Sequence, residues 1–168
     1  VVNKGGILDL IHVMEKQLSQ GQLESVGLVK SCATALGRIA TSDVKYISEI
    51  FQHNGLEAIN KAFATDNSEI VQACCDTIQK FAVDEKTTEE IVSKGTVRAL
   101  IARFQSQAQS DVTCQSMVEA LGAFGRFEAG RKEVVDQKGP HKTLTIIKDF
   151  KNKKEVQEGG IKALSKLI

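Results

Sequence analysis

The sequence repeats one short phrase four times: ATALGRIA at 33–40, CDTIQKFA at 75–82, VEALGAFG at 118–125 and IKALSKLI at 161–168. Each phrase is centred on one apolar residue, and the centres lie 42, 43 and 43 residues apart: Leu36, Ile78, Leu121 and Leu164. A period of this size indicates one supersecondary unit used repeatedly, because so small a group of helices buries its apolar face only against a neighbouring copy. The sequence therefore predicts a helical repeat protein.

An apolar stripe runs along the helix that contains each phrase. Residues three and four positions before and after each centre are apolar or small, which is the spacing of one helix face. In the last phrase this stripe predicts that Ile161, Leu167 and Ile168 are core residues. The four centres are expected to form one continuous core.

The opposite face of the same helices is polar. The positions six before, two before and two after each centre point roughly 120–200° away from the apolar stripe. Eleven of these twelve residues are polar or charged: Lys30, Thr34, Arg38, Gln72, Asp76, Lys80, Gln115, Glu119, Ala123, Glu158, Lys162 and Lys166. These positions are predicted to face solvent.

A second helix is predicted before each of these, with these core anchors: Leu10, Ile59, Leu100 and Leu144. Glycines introduce these helices, and a left-handed turn is expected there because glycine adopts it without steric cost: Gly5, Gly6, Gly55, Gly95 and Gly139. The segments ISEIFQHNG, TEEIVSKG and KEVVDQKG end at the later glycines, and their spacing predicts a short third helix. The polar stretch Ser19-Gln20-Gly21-Gln22 predicts an enlarged loop in the first unit.

Three helices per unit of 42–43 residues, with ALxxLA-like phrases and glycine corners, resemble the armadillo repeat over essentially the whole chain. The HEAT repeat, which uses two helices, is the alternative. The resemblance implies an all-α, right-handed α-solenoid of about four stacked units, each of two to three helices. One solenoid segment is expected over 1–168, as part of a longer array, with units at approximately 1–41, 42–83, 84–126 and 127–168.

The resemblance also implies a concave groove, lined by the longest helix of each unit, that binds a peptide, a helix or a domain. Importin-like members place tryptophan two residues before the centre and asparagine two after it, and the asparagine clamps the peptide backbone. This chain contains no tryptophan, and the asparagine positions hold Arg38, Lys80, Ala123 and Lys166. Binding of nuclear localisation signals is therefore not expected.

The candidate groove is defined by ten of the polar residues. They are Lys30, Thr34, Arg38, Gln72, Asp76, Lys80, Gln115, Glu119, Lys162 and Lys166. Bases outnumber acids here, which favours an acidic partner, with hot spots expected at Arg38, Lys80 and Glu119. The alternative is a solvated face with internal ion pairs, Asp76 with Lys80 and Glu158 with Lys162.

Composition argues against other partners. Twenty-two Lys and Arg against 21 Asp and Glu leave a net charge of +1, so neither a nucleic acid nor a membrane is indicated. The run Lys148, Lys151, Lys153 and Lys154 could contact an acidic partner or a nucleic acid, although solvated loop lysines are the preferred interpretation. The histidines His12, His53 and His141 form no triad or metal spacing, and no phosphate-binding glycine motif occurs. No catalytic residue, cofactor, metal or small-molecule substrate is predicted.

The cysteines are predicted to be buried free thiols: Cys32, Cys74, Cys75 and Cys114. Such thiols suit a reducing compartment, so an intracellular and cytoplasmic location is expected, with the nucleus left open. The function predicted is a non-enzymatic scaffold or adaptor for protein binding. The alternative is a structural solenoid packed laterally in a cytoskeletal or chaperone-type assembly.

Overall fold

The computed structural model describes residues 5–20, 25–104 and 110–168, and the regular structure within these ranges is entirely helical. Eleven helices follow in this part of the chain: α1 (Gly6–Gln20), α2 (Ser25–Ser42), α3 (Lys45–Gln52), α4 (Gly55–Phe63), α5 (Ser68–Phe81), α6 (Glu85–Ser93), α7 (Thr96–Arg103), α8 (Asp111–Phe124), α9 (Glu128–Asp136), α10 (Gly139–Asp149) and α11 (Lys154–Leu167). The short helices α3, α6 and α9 confirm the predicted third segment. Helix α1 includes Ser19 and Gln20, so the prediction of a loop at these two residues was wrong. Gly21 and Gln22 lie outside the described residues.

The helices that carry the four phrases stack in one row, which we call the inner row: α2, α5, α8 and α11. Neighbours in the inner row pack far more extensively than α1 with α4, α4 with α7 or α6 with α9. The protein is an all-α, right-handed α-solenoid of about four stacked units, as the sequence predicts.

The predicted apolar stripe forms the core of this stack. Leu36, Ile78 and Leu121 are completely buried, and Leu164 is half-buried. The prediction was wrong at the far end, where Leu144, Ile161 and Ile168 are 45%, 60% and 98% exposed. In earlier units the position of Ile161 is covered by the next helix of the inner row, and the described residues provide no helix beyond α11.

The corners between the short helix and the next helix differ from the prediction. Left-handed backbone occurs at Gly95, with φ of 74°, but also at the non-glycine residues Asn54 and Lys138, with φ of 64° and 62°. Gly55 and Gly139 follow these residues and begin α4 and α10. A Cβ on Gly55 would lie 2.4 Å from Ile50 Cγ2 and 2.8 Å from the Ile50 carbonyl oxygen. Glycine is needed at this position for close packing, not for a left-handed turn.

The four cysteines are buried free thiols, as predicted: Cys32, Cys74, Cys75 and Cys114. Burial raises the pKa of Cys74 to about 12 and the pKa of Cys114 to about 11. Since the thiolate is the reactive form, these raised pKa values favour the unreactive thiol form at neutral pH.

Candidate functional site

The predicted polar columns lie on the solvent side of the inner row. We call the ten residues of the candidate groove the groove surface: Lys30, Thr34, Arg38, Gln72, Asp76, Lys80, Gln115, Glu119, Lys162 and Lys166. All ten are exposed or half-buried. Ala123, the apolar residue in the same columns, is only 7% exposed. The groove surface therefore runs as a polar strip from α2 to α11.

One end of the strip contains a depression of about 530 Å³ on α2, which we call the α2 depression. It is lined by Gly27, Lys30, Ser31, Thr34, Ala35 and Arg38. The small residues leave the space open, and the larger ones supply an ammonium, a guanidinium and two hydroxyls. Among the described residues, no carboxylate lines it. Its chemistry is that of a site for an anionic group.

Lys80 brings a third cation towards α2. A Cβ added to Gly37 would lie 3.2 Å from Lys80 Cδ, so the lysine stem rests on the glycine of the neighbouring helix. The Lys30 ammonium forms an ion pair with Glu69, and because Lys30 is half-buried and Glu69 is exposed, the pair is solvent-accessible and contributes little stability. Among the described residues, Arg38 and Lys80 belong to no ion pair, and their charges face the groove unneutralised.

A second depression, of about 240 Å³, lies between α8 and α11, and we call it the α8–α11 depression. It is lined by Gln115, Glu119, Gly122, Glu155, Glu158, Gly159, Lys162, Ala163 and Lys166. The Gln115 side-chain amide donates to Glu119 Oε1 at 2.9 Å. A Cβ on Gly122 would lie 3.0 Å from Ala163 Cα, which shows how closely the two helices approach. The two helices thus meet backbone to backbone beneath a rim of charged side chains.

The predicted internal ion pairs are not formed. Asp76 is exposed and has no ion-pair partner within the described ranges, and Glu158 pairs with Lys154 at 3.7 Å instead of with Lys162. In the predicted basic run, Lys153 Nζ lies 2.6 Å from Asp111 Oδ2. Their hydrogen bond lowers the pKa of the Asp111 carboxyl and raises the pKa of the Lys153 ammonium. Lys153 therefore ties α11 to α8, and only part of the run is free to meet a partner.

Eight lining residues of the two depressions were not among the ten predicted site residues: Gly27, Ser31, Ala35, Gly122, Glu155, Glu158, Gly159 and Ala163. Gly27 and Ser31 lie one turn apart beside the polar columns, so the spacing of small residues was a usable signal. Glu155 lies nine residues before the last centre and outside the columns considered. Glu155 lies in the depression because α11 packs close to α8. A pattern within a single helix does not predict this packing.

Other candidate features stay apart from this surface. His12 and His141 are exposed and His53 is half-buried. Across the described residues, no group of three or more His, Cys, Asp and Glu is arranged to hold a metal ion. Within the same ranges, every helix is too short or too polar to cross a bilayer.

Comparison with known proteins supports the fold. No protein-family model matches the sequence, and no curated protein matches it. An engineered protein from a structural genomics consortium superposes with a TM-score of 0.83 at 18% identity, covering 99% of this chain and 65% of that one. A designed armadillo repeat protein superposes with a TM-score of 0.76 at 14% identity, over 94% of this chain and 63% of that one.

A third structure is a designed armadillo repeat protein in complex with the peptide (KR)4. It superposes with a TM-score of 0.79 at 15% identity, over 96% of this chain and 64% of that one. The chain spans less than two thirds of the length of each of these three structures. At such low identity the similarity shows the fold, an armadillo-type α-solenoid. The three-helix order seen in α3 to α5 favours armadillo over HEAT.

Proposed function

We propose that the protein is a non-enzymatic interaction scaffold that binds an extended segment of a partner protein along the groove surface. The observation that carries this proposal is the continuous solvent-facing polar strip on the inner row, with a depression near each end. A designed armadillo protein of the same fold was solved with a peptide, which supports peptide binding as a use of this architecture.

Binding would rest on a rigid array of side chains. The inner-row helices are fixed by buried residues such as Leu36, Ile78 and Leu121, so little ordering is needed when a partner binds. The asparagine positions hold no asparagine, so affinity would come from charged and polar side chains. Ion pairs at such exposed sites are salt-sensitive, so binding should weaken as ionic strength rises.

An acidic partner fits the groove surface best. Its ten residues include five bases and two acids, and Arg38 and Lys80 carry no internal counter-ion among the described residues. Five bases along one strip favour encounter with a negatively charged segment. The buried free thiols support a reducing, intracellular location, and we propose the cytoplasm.

A peptide titration tests the proposal. The probe is a fluorescein-labelled twelve-residue peptide of alternating Glu and Ser, followed by fluorescence anisotropy at low salt. The double variant Arg38→Glu with Lys80→Glu should weaken binding at least tenfold. The matched control, Lys86→Glu with Lys132→Glu, changes two exposed lysines on α6 and α9 and should bind like the unmodified protein. Equal loss in both variants would show that net charge, not the groove surface, governs binding.

The alternative is a structural solenoid packed laterally in a larger cytoskeletal or chaperone-type assembly. It is favoured by the apolar side chains exposed at the α10–α11 end of the stack, namely Leu144, Ile161 and Ile168. In that case Ile161→Asp would abolish assembly, whereas reversing charges on the groove surface would leave it unchanged. Size-exclusion chromatography with light scattering separates the two functions.

A further inference from the structure

The two depressions at the ends of the groove surface differ in charge. Counting only residues that the structure describes, the α2 depression has two cations and no carboxylate, whereas the α8–α11 depression has three carboxylates and two ammonium groups. Both belong to one polar strip on the same row of helices. A partner that lies along the strip therefore meets opposite electrostatic environments at its two ends.

The α2 depression is equipped to hold carboxylates. Arg38 offers a planar fork of donors, and the hydroxyls of Ser31 and Thr34 can donate beside it. No acid among the described lining residues competes for these donors. Glu69 pairs with the lining residue Lys30, and a solvent-accessible pair of this kind can exchange for a partner carboxylate at little cost.

The α8–α11 depression is equipped to hold a basic side chain. Glu119 is half-buried, and the amide of Gln115 donates to its Oε1, while its Oε2 has no hydrogen-bond partner among the described residues. Glu155 and Glu158 add two more carboxylates. Gly122, Gly159 and Ala163 also line the depression, and their small size lets α8 and α11 approach closely beneath these charged groups. Several carboxylate oxygens could accept hydrogen bonds from a guanidinium or ammonium group bound here.

We propose that the groove surface selects an extended peptide with two charged ends: aspartate or glutamate in the α2 depression and arginine or lysine in the α8–α11 depression. This inference rests on the proposed function and adds the charge order of its partner. Packed helices lie about 8–10 Å apart, so two and a half helix spacings separate the depressions by about 20–25 Å. An extended chain covers about 3.3 Å per residue, so about six to eight residues separate the two charged groups.

Fluorescence anisotropy with four labelled peptides tests this order. The first carries Asp-Asp and Arg-Arg separated by six Ser and Gly residues. The second has the same charges separated by two residues, and the third and fourth carry only the acidic or only the basic pair. The first peptide should bind at least tenfold more tightly than each of the other three. Equal binding of the first two would overturn the inferred spacing, and equal binding of the first and third would overturn the basic-residue site.

Charge swaps identify which end holds which group. Arg38→Glu should weaken binding of the first peptide at least fivefold. A peptide with Arg-Arg at both ends should bind this variant as tightly as the first peptide binds the unmodified protein. Glu119→Lys should weaken binding of the first peptide and strengthen binding of a peptide with Asp-Asp at both ends. Lys86→Glu, on the exposed side of α6, is the control and should change neither affinity. Circular dichroism melting confirms that each variant is folded.

The outcomes separate this inference from the proposed function. If all peptides bind the groove surface but the swaps fail to change their preference, the charge order is wrong and the scaffold function stands. If no peptide of any charge pattern binds the folded protein, both fail.

Discussion

The carboxylate of Glu85, in the first turn of α6, accepts a hydrogen bond from the backbone amide of Ala129, in the first turn of α9, at 2.8 Å. The same carboxylate also accepts from the amide of Glu128 at 3.0 Å. Helix α9 begins after Phe127, whose side chain cannot cap it. A residue of the preceding unit therefore satisfies helix-end donors that the local sequence leaves unpaired. Stacking and helix termination are coupled at this junction.

Removing this carboxylate should destabilise the protein. Glu85→Ala should lower the free energy of unfolding by about 1 kcal/mol, the usual cost of losing a helix cap. Glu85→Gln keeps one acceptor oxygen and should lose less. Urea denaturation followed by circular dichroism measures both. Glu89→Ala, at an exposed position of the same helix, is the control and should fall within about 0.5 kcal/mol of the unmodified protein. If Glu85→Ala behaves like Glu89→Ala, the cap contributes nothing.

Acid should weaken the cap of α6. Asp84 accepts from the amide of Thr87 at 2.8 Å, and this backbone hydrogen bond lowers the pKa of the Asp84 carboxyl. A carboxyl with a lowered folded pKa stabilises the protein above its unfolded pKa of about 4 and loses that effect as pH falls through the folded value. Stability should therefore decrease below about pH 4, and Asp84→Asn should flatten this decrease, as measured by urea midpoints across pH. An unchanged pH profile in the variant would show that other carboxyls dominate acid unfolding.

The glycine at the first corner should resist substitution. Gly55→Ala places a Cβ 2.4 Å from Ile50 Cγ2, so it should cost about 1–3 kcal/mol through overpacking. Gly27→Ala is the control, since a Cβ there meets nothing within 4 Å, and it should stabilise α2 by up to about 1 kcal/mol. Thermal melts compare the two variants. A neutral Gly55→Ala would contradict the close approach of α4 to Ile50.

The cysteines should be unreactive until the protein unfolds. Desolvation raises the pKa of all four thiols, to about 12 for Cys74 and about 11 for Cys114, so the thiolate is scarce at pH 8. Iodoacetamide at pH 8 should therefore leave the native protein unmodified and label all four cysteines in guanidinium chloride. Mass spectrometry counts the labelled sites. Rapid labelling of Cys74 or Cys75 in the native protein would contradict a closed core.

The fold was predictable because the sequence repeats the same pattern of core residues in each unit. Leu36, Ile78 and Leu121 occupy equivalent places, so one periodic pattern located the inner row and its solvent face. The corners were less predictable, since Asn54 and Lys138 adopt left-handed backbone where glycine was expected. Here packing of the following glycine against the short helix outweighs the local preference of the corner residue.

The sequence pattern did not predict contacts between units. Glu85 caps a helix of the next unit, and the distance in sequence gives no sign of it. The ends were also mispredicted, because Ile161 and Leu144 carry core-like patterns without a covering helix among the described residues. The polar columns located the groove surface, but the separation of charge between its two depressions depends on how the helices approach one another.

The most direct test of the groove surface is a two-dimensional NMR titration of the ¹⁵N-labelled protein with the peptide that carries both charged ends. Binding along the inner row predicts that amide shifts concentrate around Arg38, Lys80, Glu119 and Lys162, while amides at Val44 and Val135 stay in place. Shifts confined to the corners, or to the exposed end around Leu144 and Ile161, would contradict the assignment of the inner row as the binding face.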